Sequence, residues 1–176
     1  RVPVTVKFRL GIDDDHMTFL DTARIAESEG VAWVALHART ALQHYAPPAH
    51  WERIAELKRV VGSIPVLGNG DVFSPDDARS MMATTGCDGV VVGRGCLGRP
   101  WLFTDLAAAF AGSDARVRPG LGEVTATLRR HATYLVDFYD GDEGRACRDI
   151  RKHIAWYLKG FPAGSTVRNQ LALVDG

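Results

Sequence analysis

Cysteine is scarce in this chain: three residues of 176, Cys87, Cys96 and Cys147. They are widely spaced and form no C-x-x-C, which excludes a paired disulfide framework and suits a reducing compartment. Long apolar runs are missing as well. None approaches the roughly 18 residues of a membrane span, and no signal-peptide pattern opens the chain. We therefore expect a cytoplasmic protein with no membrane partner. Neither sign of charge is in excess, with 21 Lys plus Arg against 21 Asp plus Glu. Net charge thus carries no argument about nucleic acid; only a local basic face could. A starting Met is absent too. The chain opens Arg1-Val2-Pro3 and runs at once into a strand-like segment, as a piece of a longer protein would.

What is present is an alternation. Apolar residues make up 46% and charged residues 24%, enough for an ordinary core. Val4–Arg9 is short, β-branched and bounded by Pro3 and Gly11, and predicts a strand. Thr18–Glu29 has helical spacing closed by Gly30. Val31–His37 is a near-continuous apolar run, as in strands buried on both faces. Trp51–Val61 predicts a helix and Ile64–Gly68 a strand. Ser74-Pro75-Asp76-Asp77 has the N-cap, first-position proline and acidic first turn of a helix that should run to Gly86. Asp88–Val92 predicts a fourth strand, with a helix resuming near Arg99–Phe103. Four βα units imply parallel strands with right-handed crossovers. An open doubly wound sheet and half of a (β/α)₈ barrel both satisfy this. A turn-rich linker at 112–120 follows, then only helical patterns, near Glu123–Tyr139, Arg145–Lys159 and Ser165–Val174. The expected organisation is an α/β region over 1–111, the linker, and an all-α helical subdomain over 121–176.

Ligands of parallel α/β folds sit at the C-terminal ends of the strands. Those ends carry Lys7 and Arg9, then His37 and Arg39, then Gly68-Asn69-Gly70-Asp71, then Gly93-Arg94-Gly95. Glycine lets backbone N–H groups approach an anion closely. If the fourth strand closes a barrel, Gly70, Gly93 and Arg94 lie at the usual phosphate site. Lys7, between Val6 and Phe8, is expected to be buried on a central strand, where a cation can stabilise an anionic ring or enolate. His37 can serve as a hydrogen-bond donor or acid to a bound ring. The run Asp13-Asp14-Asp15-His16 is read as a solvated loop, because consecutive ligands rarely converge on one metal. Cys96 is read as a small lining residue rather than a reactive thiol. In the helical tail, Arg145, Arg148, Lys152 and Lys159 fall on one stripe with His153 beside it, and such a stripe can follow a phosphate backbone.

The order of motifs V-T-V-K-F-R, L-H-A-R-T with Gln43, Tyr45 and Trp51, I-P-V-L-G-N-G-D, D-G-V-V-V-G-R-G and G-R-P-W-L-F resembles the tRNA-dihydrouridine synthases. The tail R-K-H-I-A-W-Y-L-K-G-F-P-A-G, residues 151–164, is similar to the bacterial branch. The resemblance implies the second half of a TIM barrel, four βα units, followed by tRNA-binding helices. It implies FMN at the barrel mouth, reduced by NADPH, hydride transfer to C6 of a tRNA uridine, and a cysteine on another loop that protonates C5. Lys7, His37, Asn69, Gly70, Asp71, Gly93 and Arg94 would then contact the cofactor. Arg9, Arg39, Arg145, Arg148 and Lys152 would contact the tRNA. Ala38 and Cys96 depart from the family's usual Gly and Ala. No cysteine here sits in the family's Asn-x-Gly-Cys-Pro context, so the proton donor is expected upstream and the 176 residues alone are expected to be inactive. Two unpaired strand edges would invite self-association. A dihydroorotate- or dihydropyrimidine-dehydrogenase relative would share the lysine and glycine loops but lack the tail; a non-catalytic RNA-binding module is the other alternative.

Overall fold

In the computed structural model, which describes residues 2–175, each strand is followed by a helix. Arg1, the first residue of the strand-like opening, lies outside the described residues. The order is β1 (Thr5–Arg9), α1 (Phe19–Ser28), β2 (Trp33–His37), α2 (Trp51–Val60), β3 (Val66–Asn69), α3 (Pro75–Thr85) and β4 (Gly89–Val91). A single 3₁₀ turn (Arg94–Cys96) leads to α4 (Leu102–Phe110), and α5 (Leu121–Phe138), α6 (Glu143–Tyr157) and α7 (Ser165–Ala172) complete the chain. Among the described residues these four strands pair only in parallel, in the order β1-β2-β3-β4. A doubly wound sheet reverses direction at a switch point; this one never does. The strictly sequential order is that of half of a (β/α)₈ barrel, four βα units, with all-α structure after it.

Local chemistry sets the boundaries. Ser74 Oγ accepts from the Asp77 N–H at 3.1 Å, Pro75 opens α3, and Gly86 at φ +70° ends it in the left-handed region. β3 starts at Val66 rather than Ile64, because Pro65 has no N–H for the ladder; its carbonyl accepts from Val34. Val31 donates back to Ala26, so the apolar run enters β2 only at Trp33. The core lies between sheet and helices: Val34, Leu36 and Val66 meet Ala23, Ile54, Leu57, Ala78 and Met81, all fully buried. Each large aliphatic side chain there contributes about 1.5–3 kcal/mol. Among the described residues β1 pairs on one side only, with β2, and Lys7 is exposed there rather than buried as expected.

The chain forms two compact units: residues through Gly95 with Ala109–Ser113, and Cys96–Ala108 with the residues from Asp114 on. In the second unit, Ile150, Ile154 and Leu158 are buried against Leu128, Ala132, Leu135 and Leu171. Arg168 donates to the carbonyls of Leu158, Phe161 and Ala163 and so covers the end of α6. Asp142 caps α6 by accepting from the Arg145 N–H at 2.8 Å, so the helix begins two residues before the expected start. It stops at Tyr157, so Lys159 lies past its end and off the expected helical stripe. No helix of the described residues is long and apolar enough to cross a membrane.

Candidate functional site

Parallel register lines up four strand ends. Arg9 stands opposite His37, His37 opposite Asn69, and Asn69 opposite Val91, with about 4.8 Å between neighbouring strands. Each is the last residue of its strand. Lys7 lies two residues before Arg9 and shares its side of β1. The following loops add Arg39, Tyr45, Asp71, Phe73, Gly93 and Arg94, and together these residues line a cleft of about 340 Å³. That volume falls in the range of small-molecule sites. In a chain of balanced charge, the cleft holds four cations (Lys7, Arg9, Arg39, Arg94) to one carboxylate (Asp71).

Asp71 ties these charges together. Arg39, completely buried, donates from Nη2 to Asp71 Oδ2 at 2.5 Å and from Nε to the Ala46 carbonyl at 2.7 Å. Its Nη1 lies 3.3 Å from His37 Nε2. Asp71 Oδ2 also accepts from the Ala49 N–H at 2.8 Å, and Oδ1 from Arg94 Nη2 at 3.2 Å. Burial alone would raise the Asp71 carboxyl. The hydrogen bonds from Arg39 and Ala49 and the charges of Arg39 and Arg94 outweigh it and hold the pKa below the ordinary value. Arg9 donates to the carbonyls of Thr40 and His44 at 2.9 and 3.0 Å, which fixes the loop after β2. Tyr45 on that loop lies under two guanidiniums, 5.5 Å from Arg9 and 4.7 Å from Arg94.

His37 is buried at the centre of this arrangement. Desolvation, then the charges of Arg9, Lys7, Arg39 and Arg94, bring its pKa down to about 4, so it is neutral near pH 7. Desolvation and the Arg9 charge also lower Lys7.

The glycines differ in what surrounds them. A side chain at Gly70, where φ is +135°, would come within 2.6 Å of Ala49 Cβ; one at Gly95 would come within 2.2 Å of the Val72 carbonyl. These two glycines let the chain segments approach each other. At Gly93 an added Cβ would meet nothing within 4 Å. Gly93 lines the cleft, so its bare face looks into open space that an anionic group can fill. Asn69 commits its amide N–H to the Val91 carbonyl at 2.6 Å and braces β3 against β4.

The cleft therefore gathers Lys7, Arg9, His37, Arg39, Asn69, Gly70, Asp71, Gly93 and Arg94 from the sequence-derived set. Arg39 is turned wholly inward. Arg145, Arg148 and Lys152 belong to the second unit, where they lie on α6. Arg145 stacks 4.4 Å over Tyr139, and Lys152 pairs with Asp149. Trp156, four residues beyond Lys152 and 38% exposed, continues their stripe; the i+4 spacing is the sequence signal that points to it. Trp51 acts as a brace that the sequence pattern does not reveal: its Nε1–H donates to the Gly70 carbonyl at 2.9 Å. The residues lining the cleft include no cysteine. Cys87 is buried and donates to the Gly89 carbonyl.

A family model described as "Dihydrouridine synthase (Dus)" matches residues 1–176. The chain is 64% identical to the "Probable tRNA-dihydrouridine synthase" of Mycobacterium leprae, over 99% of its own length and 45% of that protein's. The protein of the same name from Mycobacterium tuberculosis is 64% identical over 98% of this chain and 44% of its own. The "tRNA-dihydrouridine synthase B" of Xanthomonas axonopodis pv. citri is 41% identical over 95% and 49% respectively. The chain spans about half the length of the curated relatives it matches.

Proposed function

The chain belongs to the dihydrouridine synthase family, and from that premise we propose that the protein carrying it is an oxidoreductase that reduces uridines of tRNA to 5,6-dihydrouridine with FMN in the cleft and NADPH as reductant. The observation that carries this reading is the cationic cleft with an open glycine at its wall. With Arg39 and Asp71 paired to each other, Lys7, Arg9 and Arg94 leave the cleft an excess of positive charge that suits a phosphate-bearing ligand, and the space beside Gly93 suits close backbone approach to that phosphate. The residues present fit FMN: Gly70, Gly93 and Arg94 would hold the phosphate, Asn69 and Asp71 would brace that loop, and Lys7 and His37 would face the ring system. When bound, the flavin supplies the reducing equivalents for saturating the pyrimidine C5–C6 bond. The chain's own residues bind and orient. Lys7 and Arg9 supply positive potential along the sheet edge, and neutral His37 supplies a hydrogen bond without a charge. In this reading the proton for C5 comes from a residue outside these 176.

Arg145, Arg148 and Lys152, with Trp156 on the same face of α6, form the proposed contact to tRNA. Guanidinium and ammonium groups meet phosphates and the indole offers a stacking surface. The compartment we propose for this activity is the cytoplasm. For the isolated chain, the outer edges of β1 and β4, unpaired among the described residues, favour self-association, which sedimentation velocity measures.

The test is to incubate the protein carrying this chain with unmodified tRNA, FMN and NADPH and to quantify dihydrouridine by nucleoside mass spectrometry. Dihydrouridine in tRNA is the expected product. NADPH oxidation that reduces a free pyrimidine base and leaves tRNA unchanged would replace this reading with a pyrimidine dehydrogenase.

A further inference from the structure

The hydrogen bonds that join the cleft's charged groups also determine where one proton resides. A guanidinium donates and never accepts. His37 Nε2, 3.3 Å from Arg39 Nη1, is therefore the acceptor and carries no proton, and the neutral ring holds its proton on Nδ1. Among the described residues Nδ1 has no hydrogen-bond partner, and it is not one of the buried unpaired atoms. It therefore reaches the open space of the cleft. The packing agrees. A Cβ at Gly70 would lie 3.7 Å from His37 Cδ2, so the Cδ2–Nε2 edge sits on the Gly70 turn and the Nδ1 edge is turned away from it.

Arg39 makes this contact because its plane is fixed from two other sides, by the Ala46 carbonyl at Nε and by Asp71 at Nη2. Asp71 is itself fixed. It has φ +53°, and its two oxygens are shared among Arg39, the Ala49 N–H and Arg94. We propose that Asp71 is a positioning residue: through Arg39 it holds His37 as the tautomer protonated on Nδ1, so that His37 offers the cleft a hydrogen-bond donor, and through its other oxygen it sets Arg94 at the rim. The ligand group selected is an acceptor, such as a carbonyl oxygen or an unprotonated ring nitrogen; a ligand N–H facing Nδ1 is disfavoured. That this acceptor belongs to a flavin or a pyrimidine rests on the proposed function, whereas the tautomer does not. Burial of the ring and the charges of Arg9 and Lys7 from β1, Arg39 from the loop after β2 and Arg94 from the loop after β4 oppose a second proton, so the assigned form persists at neutral pH.

Nitrogen-15 NMR of histidine-labelled protein near pH 7 reads this directly. The expected wild-type His37 pattern is a protonated, pyrrole-type Nδ1 and an unprotonated, pyridine-type Nε2. Asp71→Asn keeps the side-chain shape, tolerates the left-handed backbone and removes the charge. Its His37 signals should move toward the averaged positions of a tautomer mixture while the amide spectrum stays folded. Arg39→Lys keeps a charge, but its donors all sit on one nitrogen and cannot span the Ala46 carbonyl, Asp71 and His37 as the planar fork does, so it should give the same shift. A wild-type ring protonated on Nε2, or an Asp71→Asn spectrum unchanged at His37, overturns the proposal. Should neither variant fold, the wild-type spectrum decides, because an Nε2–H ring cannot accept from Arg39. A parallel FMN titration separates this from the functional reading. No FMN binding with Nδ1 protonated removes the function and leaves the positioning role; FMN binding with Nε2 protonated does the reverse.

Discussion

Replacing Arg39 by Met tests whether the cleft is held by its buried ion pair. The substitution roughly preserves volume, so little cavity is created. It deletes the donor to Asp71 at 2.5 Å, the donor to the Ala46 carbonyl at 2.7 Å and the contact to His37 at 3.3 Å. Arg39 has no solvent exposure and the Asp71 side chain keeps 23%, so the orphaned carboxylate recovers only part of its hydration. Breaking a buried pair from one side costs about 3–5 kcal/mol. The partial exposure of Asp71 and its remaining bonds to Ala49 and Arg94 place the expected loss near the lower end of that range, about 3 kcal/mol. The acid limb should change as well. A carboxyl held below its unfolded value contributes stability that is complete above about pH 3.9 and is lost as pH falls through the folded value. Without Arg39, burial is opposed mainly by Ala49 and Arg94, so acid unfolding should begin at higher pH. Urea melts near pH 7 and at several values between about 3 and 5 measure both effects. A loss below about 1 kcal/mol with an unchanged acid limb would refute the ion pair as the organiser of the cleft.

Other consequences can be measured independently. Gly95→Ala drives a Cβ into the Val72 carbonyl, and Gly70→Ala adds strain at φ +135° to a clash with Ala49; each should cost about 1–3 kcal/mol or more in chemical denaturation. His37, with its pKa lowered from 6.5 to about 4, should stay neutral when followed by NMR from about pH 8 to about 5. Its contribution to stability is complete above about pH 6.5 and falls on acidification toward about 4, by at most about 3 kcal/mol. Arg148→Ala should weaken tRNA binding and reduce the slope of log affinity against log salt by about one, whereas Lys152→Ala should do less, because Lys152 already pairs with Asp149.

Elements governed by local chemistry are legible in the sequence. The Ser-Pro-Asp-Asp start and Gly86 stop of α3 state their own boundaries, and the apolar run of β2 signals burial on both faces. The choice between doubly wound sheet and barrel is not legible from the alternation alone, because it depends on strand order, which is long-range. The strand-end rule finds most of the cleft, since parallel register places Arg9, His37 and Asn69 in one row. It cannot show that Arg39 turns inward, because its partner Asp71 lies 32 positions away and is reached only through the fold. The exposure of Lys7 escapes the sequence for a related reason. Alternation around Val6 and Phe8 identifies a strand but not whether a neighbour covers its outer edge. The basic stripe extends one residue too far in the sequence pattern, because periodicity does not sense that α6 ends at Tyr157.

The central claim is that the cleft at the strand ends holds a phosphate-bearing flavin, and FMN titration of the protein carrying this chain tests it most directly when paired with Gly93→Ala. Nothing lies within 4 Å of the added methyl, so stability should be unchanged or raised by up to about 1 kcal/mol. One FMN per chain is expected for the wild type, with affinity weakened about tenfold or more in the variant at an undiminished melting temperature. Absence of FMN binding by the wild type, or equal affinity in both proteins, would contradict it.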